Sequence, residues 1–107
     1  MKIHVKIGSI ALLVSSIGTS SVAQTSGETI YKDKCQMCHG ADGEAQTGMG
    51  KLWKISPLKS PALLKASDSS LIAATKNGAG KMPAYSGKLT DAQIQNVIAY
   101  VRTLQKQ

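Results

Sequence analysis

Five consecutive residues, Cys35-Gln36-Met37-Cys38-His39, constrain this chain more than any other stretch. They place two thiols and an imidazole at the C-x-x-C-H spacing of covalent haem attachment. Thiols three residues apart on one helical turn can add to the two vinyl groups of a haem, and the next residue then falls under the iron as proximal imidazole ligand. The motif fixes ring and metal together. Two other uses of the same residues fit less well. A thioredoxin-like redox pair expects a strand before the motif and a βαβ setting, whereas the residues before Cys35 carry a helical pattern. A zinc site asks for about four ligands. The sequence holds no further cysteine, and its other histidine, His4, lies in a first segment that reads as removed.

That segment has the order of an export signal. Met1-Lys2-Ile3-His4-Val5-Lys6 is basic, residues 7–17 are apolar apart from small residues, and Ser21-Val22-Ala23 offers small residues at both positions a signal peptidase reads. The apolar run is shorter than the roughly 20 residues needed to cross a bilayer, so cleavage after Ala23 is expected, with nothing membrane-spanning left. No cysteine follows the cleavage point to take a lipid. The mature domain is then 24–107, or 84 of the 107 residues. The periplasm is the expected destination, with the thylakoid lumen and the extracellular space as alternatives. Export agrees with the motif, because an unmodified C-x-x-C pair in an oxidising compartment would close on itself.

A domain of this size buries little surface and needs a staple. Both cysteines belong to the motif, so no disulfide is left to supply one. A covalently attached, largely apolar haem does so instead, and the absence of Phe suits a core whose main aromatic object is not an amino acid. Without haem the chain is expected to be poorly folded.

The sequence carries 13 basic and 6 acidic groups, and loss of Lys2 and Lys6 leaves 11 against 6, or +5. Such a balance serves nucleic acid, a membrane surface or an acidic protein. Export argues against nucleic acid. The lysines are scattered, which is what a solvated surface shows. Lys32, Lys34, Lys51, Lys54 and Lys81 flank the haem-bearing segments and form the alternative, a positive rim that steers acidic partners.

Taken in order, Thr25 and Glu28 have capping-box spacing and open a helix towards the motif. Gly27 and Tyr31, four apart, share a face suited to a close helix crossing. Gly40-Ala41-Asp42-Gly43 ends this helix. The stretch 44–59 reads as a loop wrapping one side of the haem, with Leu52, Trp53 and Ile55 against the ring. Trp53 either covers the haem and donates its N–H to a propionate or packs as plain core. Pro61 suits the first position of a short helix. Ser67-Asp68 caps another, with Leu71, Ile72 and Thr75 as its apolar stripe and Asn77-Gly78 as its stop. Met82 then stands in a Gly- and Pro-punctuated loop, 78–85, where a soft thioether suits the haem iron opposite the histidine. Of its competitors, Met37 sits inside the motif and cannot reach the opposite face, while Met49 has no proline to fix it. Thr90 and Gln93 form a second capping box, followed by Ile94, Val97, Ile98, Val101 and Leu104 at helical spacing. This last helix should cross the first, with Val97 and Tyr100 meeting Gly27 and Tyr31. No segment carries a strand pattern, and the expected class is all-α.

With these motifs in view, the mature chain resembles the class I c-type cytochromes, close to the small bacterial cytochrome c and cytochrome c6-like groups. The resemblance rests on Gly27 and Tyr31, Cys35 to Gly40, Met82-Pro83-Ala84-Tyr85, and the terminal stretch from Leu89-Thr90-Asp91 to Ala99-Tyr100-Val101. It implies a small fold of three to five helices around one covalent haem c, with the N- and C-terminal helices crossing. Cys35 and Cys38 would be its thioethers, His39 and Met82 its axial ligands, and Trp53 and Tyr85 pocket contacts. The implied function is that of a soluble, exported, monomeric one-electron carrier, not an enzyme, serving redox proteins such as a dehydrogenase or an oxidase. A haem protein that binds a gas or peroxide after displacement of Met82 is the alternative. One departure stands out. Many members place a proline in the loop after the histidine, where a backbone carbonyl accepts a hydrogen bond from the imidazole. Here that region reads Thr47-Gly48-Met49-Gly50-Lys51, which leaves the partner of His39 open.

Overall fold

Ser26 starts the first helix, its hydroxyl accepting the Thr29 N–H at 3.2 Å. The cap therefore stands one residue after Thr25, which carried the expected capping box. In this computed structural model residues 26–107 are described, together with 1–3, 8 and 11. Thr25 and nearly all of the expected export segment, 1–23, lie outside the described residues.

Helix α1 spans 27–39 and is not uniform. It has α-helical turns at Gly27–Ile30 and Gln36–His39, and a π-helical segment at Tyr31–Cys35 between them. In the π segment the Gln36 N–H reaches back five residues to the Tyr31 carbonyl. One extra residue in a turn advances everything after it by about 100° around the axis. The haem motif is thereby turned relative to the face that carries Ile30 and Tyr31 into the core. Gly40, at φ 81°, ends the helix as expected.

The stretch 44–59 is not all loop. Gly48–Leu52 forms a short helix, α2, capped by the Thr47 hydroxyl, which accepts the Gly50 N–H at 2.9 Å. The same hydroxyl donates to the Cys38 carbonyl at 3.1 Å, pinning α2 to the end of the haem motif. Gly50 is required there, since a Cβ would stand 2.2 Å from the Ala45 carbonyl oxygen. Helices α3 (Pro61–Lys65) and α4 (Asp68–Asn77) follow where expected, with Pro61 at the start of α3 and the Ser67 hydroxyl capping α4. Helix α5 (Asp91–Gln105) opens on a complete capping box between Thr90 and Gln93. Among the described residues there is no strand, only isolated bridges at Ala79 with Met82 and at Ser86 with Leu89.

The core lies between α1 and α5. Ile30, Tyr31, Leu58, Ile94, Val97, Ile98, Val101 and Leu104 form one buried cluster. The helices cross so closely at Gly27 that a Cβ there would stand 2.1 Å from the Asn96 carbonyl oxygen and 3.1 Å from Tyr100 Cβ. Tyr31 and Tyr100 meet at 5.2 Å between ring centroids, tilted by 56°. Tyr100 is thus the contact the sequence implied, while the tightest approach is to the backbone of Asn96. On the far side of α5, Arg102 holds the junction of α3 and α4, donating to Asp68 Oδ1 at 2.8 Å and to the Leu63 and Ala66 carbonyls.

The Tyr31 hydroxyl donates to the Gly40 carbonyl at 2.5 Å, tying the end of α1 to the core. Burial pushes this phenol well above its ordinary pKa, so it stays a donor at neutral pH. Replacing Tyr31 with Phe keeps the ring but removes one of the two donors to the Gly40 carbonyl, the Gly43 N–H at 3.2 Å being the other, at an expected cost of about 0.5–1.5 kcal/mol in denaturant unfolding. Unchanged stability would mean that the Gly43 N–H satisfies this carbonyl by itself.

Candidate haem site

At the end of α1 that carries the C-x-x-C-H motif, four segments enclose a cleft of about 390 Å³. That is a volume in the range of cofactor pockets. The end of α1 contributes Lys34, Cys35, Cys38 and His39, and the chain after α2 contributes Trp53, Ile55 and Ser56. Leu63 comes from α3, and Ala79, Lys81, Met82, Pro83 and Tyr85 from the segment between α4 and α5. The six residues named from the sequence, Cys35, Cys38, His39, Trp53, Met82 and Tyr85, therefore all line one cavity. Met37 and Leu52 do not; both are 70% exposed. Leu52 ends α2 and, unlike Trp53 and Ile55, is not brought to the cleft. Met49 is half-buried but away from the cleft, leaving Met82 as the thioether that shares it with His39.

The Met82 segment is built to hold its shape. Ala79 and Met82 exchange backbone hydrogen bonds of 3.1 and 2.9 Å, closing a tight turn. Gly78, at φ 77°, stops α4 where a Cβ would stand 2.8 Å from the Met82 carbonyl oxygen. Pro83 then restricts the backbone immediately after the methionine. At the other end, the Tyr85 hydroxyl donates to the Lys34 carbonyl at 3.0 Å.

Burial raises the Cys35 thiol to about 11, with the neighbouring Cys38 adding to the effect. A redox-active C-x-x-C pair has the opposite need, a thiolate stabilised at low pKa. Burial likewise lowers the pKa of His39, which favours the neutral imidazole that ligates metals. Its Nδ1 atom is buried with no hydrogen-bond partner. Among the described residues no carbonyl accepts from this ring, in keeping with the missing proline after the motif. Trp53, Ile55, Leu63 and Pro83 give the cleft apolar walls, and the Lys81 ammonium stands 5.9 Å from the Trp53 ring centroid. Two thiols, an imidazole and a thioether in one apolar cleft suit a covalently held haem. Leu63 and Ser56 were not anticipated from sequence, because short apolar or polar residues beside a proline give no sign of which way they face.

Comparison with known proteins points the same way. Residues 22–101 match the family described as cytochrome c oxidase, cbb3-type, subunit III. Cytochrome c6 of Thermosynechococcus vestitus is 34% identical over 93 residues, covering 86% of this chain and 80% of that protein. Cytochrome c6 of Diacronema lutheri is 31% identical over 75 residues, covering 70% and 88%. The cbb3-type cytochrome c oxidase subunit CcoP of Azospirillum brasilense is 33% identical over 104 residues, which are 92% of this chain but 35% of that subunit's length. Among solved structures, the KustC0563 c-type cytochrome matches with a TM-score of 0.68 at 26% identity, covering 75% of this chain and 98% of that one.

Proposed function

The chain belongs to the class I c-type cytochromes, haem-based electron carriers, and from that premise we propose that it is a soluble, exported carrier with one haem c. In this reading Cys35 and Cys38 would hold the haem as thioethers, and His39 and Met82 would ligate its iron. The observation that carries it is the convergence of these four side chains, from two separate segments, on one apolar cleft. When bound, the haem supplies Fe(III)/Fe(II) exchange, at a potential that a His/Met pair raises. The protein's part is to hold and shield. Trp53, Ile55 and Leu63 would exclude water from the ring, His39 held neutral by burial would be ready to ligate the iron, and Met82 would compete with exogenous ligands for it. Among the described residues no helix is long and apolar enough to cross a membrane.

Replacing Met82 with Ala is expected to open the sixth position. The ferrous variant should then bind carbon monoxide, and its potential should fall by a part of the roughly 0.8 V range that axial ligands span. A variant with wild-type spectrum and potential would place the ligand elsewhere.

The partners are redox proteins, and similarity to CcoP over 92% of the chain favours a terminal oxidase as acceptor. Lys34 and Lys81 line the cleft, while Lys51 and Lys54 are exposed on and after α2, next in sequence to the cleft-lining Trp53. Lys32 is occupied by Glu28 at 3.0 Å and contributes less to a rim. If this rim steers an acidic partner, electron-transfer rates should fall as ionic strength rises; salt-independent rates would leave these lysines as solvated surface.

A further inference from the structure

We propose that Tyr85 is a positioning residue for the iron-facing methionine, its hydroxyl clamping the Met82 loop onto helix α1 beside the haem-attachment cysteines. This rests on the His39/Met82 reading above. Tyr85 follows Met82 by three residues, and Pro83 between them fixes one backbone torsion, so both belong to one short, restricted segment. Tyr85 is held from three sides. Its hydroxyl donates to the Lys34 carbonyl at 3.0 Å, its own N–H donates to the Thr75 carbonyl of α4 at 3.0 Å, and its carbonyl accepts from Lys88 and Leu89. Lys34 lies in the π segment and immediately precedes Cys35. By contrast, the backbone bonds of Met82 itself run to Ala79 within the same turn and carry no reference to the haem-bearing helix.

The hydroxyl bond spans 51 residues of sequence and joins the element that presents the methionine to the element that holds the ring. Packing alone does not call for it. A phenylalanine would fill the same space, at a position only 9% exposed, but would lack the hydroxyl that joins the two elements. In the clamped state the thioether is presented at a fixed height over the cleft. Without it the loop can move outward, and an external ligand competes with Met82 on better terms.

The test is a titration of the oxidised holoprotein with imidazole, followed by the visible spectrum, for the wild type and for Tyr85→Phe, Tyr31→Phe and Met82→Ala. Tyr85→Phe is expected to bind imidazole about tenfold more tightly than the wild type, equivalent to about 1.4 kcal/mol. Tyr31→Phe removes a comparable tyrosine–carbonyl bond away from the methionine loop and should leave the affinity unchanged. If Tyr85→Phe stays within twofold of the wild type while Met82→Ala binds far more tightly, the ligand assignment stands and the clamp is wrong. An equal rise in Tyr31→Phe would also overturn the clamp, by showing general loosening. If Met82→Ala binds no better than the wild type, Met82 is not the ligand, and the clamp falls with that reading.

Discussion

Replacing both Cys35 and Cys38 with serine is expected to abolish retention of the haem and, with it, the cooperative fold. The core that the chain builds by itself lies on one side of α1, against α5. The apolar groups of Trp53, Ile55, Leu63, Met82 and Pro83 instead line a cleft of about 390 Å³, with only Leu63 of the five also packed against that core. Without the haem these walls meet water, at a loss of about 25 cal/mol per Å² of apolar surface left unburied. A domain this small has little margin against such a loss. His39 and Met82 can still attract haem, but a non-covalent ring is free to leave. The doubly substituted protein should show weak near-ultraviolet circular dichroism and a broad, non-cooperative thermal transition. A sharp transition close to that of the wild type would mean that the chain folds on its protein core alone, and that the haem is cargo and not structure.

Replacing Gly27 with valine should produce the largest loss of stability of any single substitution in α1. The Cβ position is 2.1 Å from the Asn96 carbonyl oxygen, and the obstacle is backbone, which no rotamer change removes. The two helices must therefore separate, loosening Tyr31 and Tyr100 behind them. Overpacking of this kind costs about 3 kcal/mol, or roughly 12–24 °C in Tm for a domain of this size. Gly48 is the control. A Cβ there meets nothing within 4 Å, so Gly48→Ala in α2 should be neutral or mildly stabilising. Similar melting temperatures for Gly27→Val and Gly48→Ala would show that the crossing is looser than these distances imply.

The features legible in the sequence were those with strong local signals. The C-x-x-C-H motif needs no tertiary context to imply its ligand, and glycine and proline mark the loop that carries Met82 into the cleft. Helix α5 declared itself twice, through its capping box and through the spacing of Ile94, Val97, Ile98, Val101 and Leu104. Gly27 and Tyr31 announced a close crossing, though not that the contact would be the Asn96 carbonyl, since a backbone atom carries no residue type to read.

What escaped the reading depends on hydrogen-bond register or on long-range placement. The π segment at Tyr31–Cys35 is one residue of slippage in a ladder, and its composition, Tyr-Lys-Asp-Lys-Cys, is ordinary for an α-helix. Helix α2 contains two glycines in five residues, and intrinsic propensity argues against it. It forms because Thr47 caps it and because Gly50 must lie against the Ala45 and Cys38 carbonyls. Its formation also carries Leu52 outward. Arg102 and Tyr85 find their partners 34 and 51 residues away, on Asp68 and Lys34, and no local pattern marks such pairs.

The state of the sixth coordination position separates an electron carrier from a haem protein that binds or transforms a small ligand. It is read directly from the visible spectrum of the holoprotein, oxidised and then reduced, with and without carbon monoxide at neutral pH. The account predicts a low-spin c-type spectrum in both oxidation states, unchanged by carbon monoxide. A reduced spectrum that shifts on adding carbon monoxide would contradict it, because the methionine position would then be open or easily displaced, and a ligand-binding role would replace simple electron transfer.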